Sequence, residues 1–142
     1  MKIINYIYRI AKKKAGVSGI IALAVCWTLT FPAYAKEINL TSADHQRIIK
    51  MNVGDRLEIT LEGNPTTGYV WEKVEGDNEI LLRQGDYQYT PAEPLLLGSG
   101  GKFTFTFLGA AGGKTRLRII YHRTFEKNID PVKIFEVLVI IK

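Results

Sequence analysis

The chain has few of the parts from which an active site or a metal centre is built. Its single cysteine, Cys26, falls within the first 35 residues. Everything after it therefore lacks thiols and disulfides and must be held together by a packed core. There are two histidines, His45 and His122, and neither has a partner at metal-ligand spacing. His45 follows the polar Ser42-Ala43-Asp44 stretch and His122 ends an apolar run, so both read as solvated or strand-edge residues. No nucleophile motif is present, and the acids are scattered over positions expected to face solvent rather than gathered as a catalytic pair. A hydrolase using scattered carboxylates is the weakest reading; the chain is read as a non-enzyme that needs no cofactor and no metal.

Acidic residues are missing from the amino-terminal end. Lys2, Arg9, Lys12, Lys13 and Lys14 precede an apolar run from Val17 to Phe31, which closes on Ala33-Tyr34-Ala35. This is the layout of a secretory leader cleaved after Ala35, with small residues three and one positions before Lys36. The run is short and interrupted for a membrane span, although an uncleaved anchor has the same ingredients. Leu23-Ala24-Val25-Cys26 is a poor lipoprotein signal, since Val25 stands where a small residue is required. The expected division is a signal peptide at 1–35 and one domain at 36–142, exported to a periplasm or secreted, with no stable membrane insertion after cleavage.

That division changes the meaning of the charge. The chain carries 19 Lys+Arg against 14 Asp+Glu, but the five basic residues named above all belong to the leader. What remains is balanced at 14 against 14, with no basic stripe for a phosphate backbone. Nucleic acid is not an expected partner.

Also missing after residue 35 is any apolar stripe at helical spacing, whereas period-two alternation recurs throughout. Arg56 to Leu61 places Leu57, Ile59 and Leu61 on one face. Tyr69 to Val74 resumes the pattern, with Trp71 as the expected aromatic between two sheets. Ile80 to Tyr89 is a strand region interrupted at Gly85-Asp86, and a long connection runs from Thr90 to Gly101. Lys102 to Leu108 turns Phe103, Phe105 and Phe107 inward. After a Gly/Ala turn at Gly109 to Gly113 come Arg116 to Tyr121 and Val132 to Ile141. The near-continuous hydrophobicity of the last strand predicts burial on both faces. About seven short strands in some hundred residues fit an all-β, immunoglobulin-like antiparallel β-sandwich better than a barrel.

Between the first two of these strands lies Asn64-Pro65-Thr66-Thr67-Gly68-Tyr69. Pro65 fixes its own φ and biases Asn64 towards an extended conformation, and Gly68 can take a positive φ. Two small hydroxyl residues are thus held at a tip. Alone, the hexapeptide suits either a displayed, pre-stiffened binding loop or an ordinary hairpin turn. Two further loops stand out. Gly98-Ser99-Gly100-Gly101 precedes the phenylalanine strand, with no following helix or Lys-Ser/Thr pair to make it a phosphate loop. Arg123-Thr124-Phe125 lies between the last two strands.

In this order, on an exported all-β domain, the three loops resemble the chagasin-type family of cysteine-protease inhibitors. Its motifs are Asn-Pro-Thr-Thr-Gly-Phe/Tyr, Gly-x-Gly-Gly and Arg-Pro-Trp/Phe. The first is matched at all six positions and the second is complete; in the third, Thr124 replaces the usual proline. The resemblance implies an immunoglobulin-like sandwich with the three loops side by side at one end, as the strand order also places them. It further implies a monomeric, reversible inhibitor whose partner is a papain-like cysteine protease.

By the same resemblance, Thr66 and Thr67 approach the target's catalytic residues while Asn64, Pro65 and Gly68 hold the loop shape and Tyr69 anchors its base. Gly98, Ser99, Gly100 and Gly101 lie along the cleft wall, Phe125 supplies an aromatic contact, and Arg123 positions its loop or meets an acidic rim. Such a wedge would bury roughly 1,600 Å² in all. The reading from a different class is an exported, non-inhibitory immunoglobulin-like binding or structural module.

Overall fold

A computed structural model describes residues 35–93, 98–126 and 128–142 of the chain. The expected leader, apart from Ala35, lies outside the described residues, as does the Leu23–Cys26 stretch.

Alternating sequences give strands, and their inward residues meet in one core. Nine strands run in chain order: β1 (Glu37–Thr41), β2 (Ile48–Met51), β3 (Arg56–Gly63), β4 (Tyr69–Glu75), β5 (Leu81–Arg83), β6 (Gln88–Pro91), β7 (Gly101–Gly109), β8 (Gly113–Arg123) and β9 (Lys133–Ile141). One sheet has the order β1-β3-β7-β5, with β6 also paired to β7; the other has the order β2-β9-β8-β4. Leu57, Ile59 and Leu61 of β3 and Phe103, Phe105 and Phe107 of β7 face Leu117 and Ile119 of β8 and Phe135, Val137 and Val139 of β9. Each such side chain contributes roughly 1.5–3 kcal/mol by leaving water. The buried apolar cluster extends from Leu40 to Ile141, so the compact unit Ala35–Lys142 has a core of its own.

The all-β sandwich is as the sequence implies, and three details differ. The strands number nine among the described residues rather than about seven, because β1 and β2 were not legible as strands. Their alternation, Ile38 with Leu40 and Ile49 with Met51, spans only five and four residues. Next, the sandwich is not wholly antiparallel: β1 pairs in parallel with β3, and β2 in parallel with β9. Each of these pairs joins strands that no hairpin links, so nothing imposes an antiparallel sense. Finally, β9 is interior to its sheet but buried on one face only. Ile134 and Leu138 point away from the core and stay 39% and 36% exposed.

Where the chain passes from β2 to β3, Asp55 organises the turn. It is only 5% exposed. Its carboxylate accepts the Asn52 amide at 2.7 Å and the Lys36 amide at 2.9 Å, tying the start of the domain to the turn. These backbone donors, Asn52 first and then Lys36, hold the Asp55 carboxyl below its ordinary value. A depressed folded-state pKa stabilises the fold above the unfolded value and ceases to do so as pH falls through the folded value. Chemical denaturation of wild type between about pH 6 and pH 2 should therefore show a loss of stability in the acid range that Asp55→Asn does not share, the variant being weaker at neutral pH and flatter below. Parallel curves for the two proteins would exclude this role.

Candidate functional site

The three loops singled out in the sequence come together at one end of the sandwich, and register explains how. Gly63, the last residue of β3, pairs with Gly101, the first of β7. Tyr69, the first of β4, pairs with Arg123, the last of β8. The Asn64 loop therefore crosses from one sheet to the other, with the Gly98 loop beside its first stem and the Arg123 loop beside its second.

Local chemistry shapes the central loop. Asn64 is extended (φ −132°, ψ 102°), Pro65 opens a single 3-10 turn over Pro65–Thr67, and Gly68 ends it in the left-handed region at φ 81°. The Asn64 carboxamide oxygen caps the turn, accepting from the Thr66 amide at 3.1 Å and the Thr66 hydroxyl at 2.6 Å. The Asn64 carbonyl accepts the Thr67 hydroxyl at 2.6 Å. Both threonines are exposed, yet both hydroxyl protons are committed to Asn64. What the tip keeps for a partner is methyl surface and oxygen lone pairs.

The neighbouring loops are tied to this one. Asn64 Nδ2 donates to the Gly98 carbonyl at 2.8 Å, joining the first loop to the second. Gly98 itself is left-handed, at φ 80°. Ser99 is half-buried between Gly98 and Gly100. A side chain at Gly100 would sit 2.9 Å from the Gly63 carbonyl, and one at Gly101 would run into β6. Close packing within the chain thus already requires these two glycines.

On the other side, Arg123 Nε donates to the Thr67 carbonyl at 3.2 Å, joining the third loop to the first. The guanidinium lies 4.4 Å from the Tyr69 ring centroid and 5.9 Å from that of Phe125. Arg123 thus positions loops. Its Nη1 donates to Glu126 at 2.9 Å, and this hydrogen bond raises the already high pKa of the guanidinium. The Glu126 amide donates to the Arg123 carbonyl at 3.2 Å, closing a turn with exposed Thr124 in second position. Proline would stiffen that position through φ; here the Arg123–Glu126 ion pair constrains the same turn. Phe125 projects, 69% exposed, with its ring edge against Gly68, where an added Cβ would lie 3.2 Å away.

Two contributors are invisible in the sequence motifs. One is Glu126, whose only sequence signal is its place three residues after Arg123. The other is Tyr121, an inward residue of β8 whose hydroxyl accepts the Asn64 amide at 2.7 Å. Tyr69 stacks on it at 5.2 Å, and Trp71, which donates to the Glu62 carbonyl, tilts against it at 5.0 Å.

The histidines stand apart from this network. His45 Nδ1 accepts the Glu136 amide at 3.0 Å, and His122 Nε2 lies 2.7 Å from Glu72 Oε2. Among the described residues, no group of three or more His, Cys, Asp or Glu is placed to hold a metal ion.

The three loops thus form one continuous edge, joined by hydrogen bonds from Asn64 to Gly98 and from Arg123 to Thr67. In comparison with known proteins, residues 50–139 match the Chagasin family peptidase inhibitor I42, and the chain belongs to that family. It is 32% identical over 93 residues to Amoebiasin-1 of Entamoeba histolytica, covering 66% of this chain and 89% of that protein. It is likewise 32% identical over 88 residues to Chagasin of Trypanosoma cruzi, covering 59% and 79%. Among solved structures, the cysteine protease inhibitor EhICP2 of Entamoeba histolytica superposes with a TM-score of 0.65 at 23% identity, over 77% of this chain and 98% of that one.

Asn64 is the residue on which the network converges. Replacing it by alanine removes a turn cap, which typically costs about 0.5–2 kcal/mol. Amide exchange at Thr66 and Thr67 should then quicken by roughly two- to thirtyfold, with the amides of Phe105 and Val137 unaffected; uniform acceleration across all four would show that the loop is not an independent unit.

Proposed function

We propose that this protein is a reversible inhibitor of papain-like cysteine proteases, and that residues 64–69, 98–101 and 123–125 enter and block the target's active-site cleft. The observation that carries this reading is the pair of cross-loop bonds, Asn64 to Gly98 and Thr67 to Arg123, which make three separate loops one preformed edge. An edge ordered before binding loses little conformational entropy on docking, a property suited to a tight inhibitor. Family membership supports this reading, since the family is one of peptidase inhibitors and a solved scaffold 32% identical to this chain is described as based on an inhibitor of cysteine proteases.

Inhibition on this reading is occlusion. Thr66 and Thr67 form the exposed tip and offer no scissile bond in substrate orientation, while Phe125 supplies apolar contact at one flank. Few residues should dominate the affinity, with Thr67 and Phe125 foremost. The basic and apolar amino-terminal sequence supports export, with cleavage after Ala35 delivering residues 36–142 to a periplasm or the exterior.

Titrating papain with purified residues 36–142 tests the reading. Stoichiometric, reversible loss of activity is expected, and Thr67→Arg should raise the inhibition constant by at least about a hundredfold, near 2.7 kcal/mol, by placing a long charged side chain at the tip. No inhibition of any of several papain-like enzymes would favour the non-inhibitory module, and full potency of the arginine variant would sink the insertion mechanism.

A further inference from the structure

We propose that Tyr121 is the positioning residue of the inhibitory edge, setting the direction in which the Asn64 loop leaves the sandwich. The inference deepens the inhibitor reading and, for its effect on inhibition, rests on it. Tyr121 belongs to β8 of one sheet, while Asn64 directly follows β3 of the other. The single phenolic oxygen accepts the Asn64 amide at 2.7 Å and faces the Asn64 carbonyl at 3.4 Å. One atom of the opposite sheet thus meets both backbone polar groups of the residue where the chain departs.

The ring is itself fixed. It is 6% exposed, stacked on Tyr69, tilted against Trp71, and has Lys133 Nζ 5.4 Å from its centroid. Gly63 leaves room for it, since a Cβ there would come within 2.9 Å of the ring. Because the Asn64 side chain carries the bonds to Gly98 and Thr66, orienting Asn64 orients the first two loops together.

Tyr121→Phe keeps the ring and deletes only the oxygen. Exchange of the Asn64 amide should quicken at least about tenfold, and the papain inhibition constant should rise about tenfold or more, measured well below the thermal midpoint, where the variant is folded. Tyr87→Phe, which removes a hydroxyl from a ring packed on Phe103 and Phe105, serves as the control and should change neither quantity. An inhibition constant within twofold of wild type, or unchanged exchange at Asn64, would overturn the assignment. Should the wild-type protein inhibit no papain-like enzyme, the inhibitor reading fails, and the exchange measurement alone decides whether Tyr121 positions the loop.

An independent observation lies at the other end of the domain. We infer that Asp55 is the receptor for the α-ammonium group produced by hydrolysis after Ala35, an inference that rests on the export reading. In that cleavage water gives its hydroxyl to the Ala35 carbonyl carbon and its proton to the Lys36 nitrogen as the bond between the two atoms breaks. The Lys36 nitrogen departs as an amine that is largely protonated at neutral pH. That nitrogen already lies 2.9 Å from Asp55 Oδ1, and the Lys36 carbonyl is pinned by the Arg56 amide at 2.8 Å. Cleavage therefore turns a neutral amide donor into a cation facing a nearly buried carboxylate, a stronger, charge-assisted bond.

Thermal midpoints of residues 36–142 and of the same chain retaining Tyr34 and Ala35 test this, each with and without Asp55→Asn. The free-amine form should melt a few degrees higher in the wild-type pair, and the difference should vanish in the Asp55→Asn pair. Equal midpoints in the wild-type pair would overturn the pairing. The mass of the exported protein separately decides the export reading: an amino terminus other than Lys36 removes its biological setting while leaving the measured pairing intact.

Discussion

Asn64 is the constraint on which the three-loop end of this molecule depends. Its amide donates to Tyr121, its carbonyl accepts from Thr67, its side-chain oxygen accepts from Thr66, and its side-chain nitrogen donates to Gly98. One residue therefore links the core, its own loop and the next loop. Aspartate would keep the cap and lose the donor to Gly98, whereas serine is too short to serve both loops. The carboxamide is the only small side chain that donates and accepts at once from one planar group, and this position uses both functions.

Around that residue, rigidity comes from satisfying polar groups internally rather than from burying the loop. Thr66, Thr67, Thr124 and Phe125 are exposed, yet the hydroxyls of the first two are engaged within the chain, and the turn holding the last two is closed by the Glu126 amide on the Arg123 carbonyl. Arg123 repeats the logic on the far side. Its guanidinium is shared among the Thr67 carbonyl, the Glu126 carboxylate and the face of Tyr69, so its charge organises the edge more than it projects from it. The absence of proline at 124 then matters less than the motif alone implies, because an ion pair spans the same turn.

The core was largely legible. Strands β3, β7 and β8 announce themselves through strict alternation, and every inward residue read from them is buried. Strands β1 and β2 were not legible, because four or five residues carry too few alternations to stand out from a polar turn. The outer face of β9 misled for a different reason. Periodicity reports whether a residue is apolar and not whether anything covers it, and Ile134 and Leu138 remain at the surface. Among the loop residues, motif spacing pointed to all three segments but not to Tyr121 or Glu126, which act through single atoms and belong to no run.

By itself the sequence determined the class of fold, the inward residues, and the local shape of the Asn64 turn, since alternation, a proline and a left-handed glycine act over a few bonds. It also determined that the domain must stand without disulfides. Only the tertiary structure decided that Gly63 meets Gly101 and that Tyr69 meets Arg123. Those registers bring together residues far apart in the chain, and they place the Tyr121 hydroxyl under Asn64 from the opposite sheet. Contacts of that range are set by how two sheets stack, a property of the whole core that no short stretch of sequence contains.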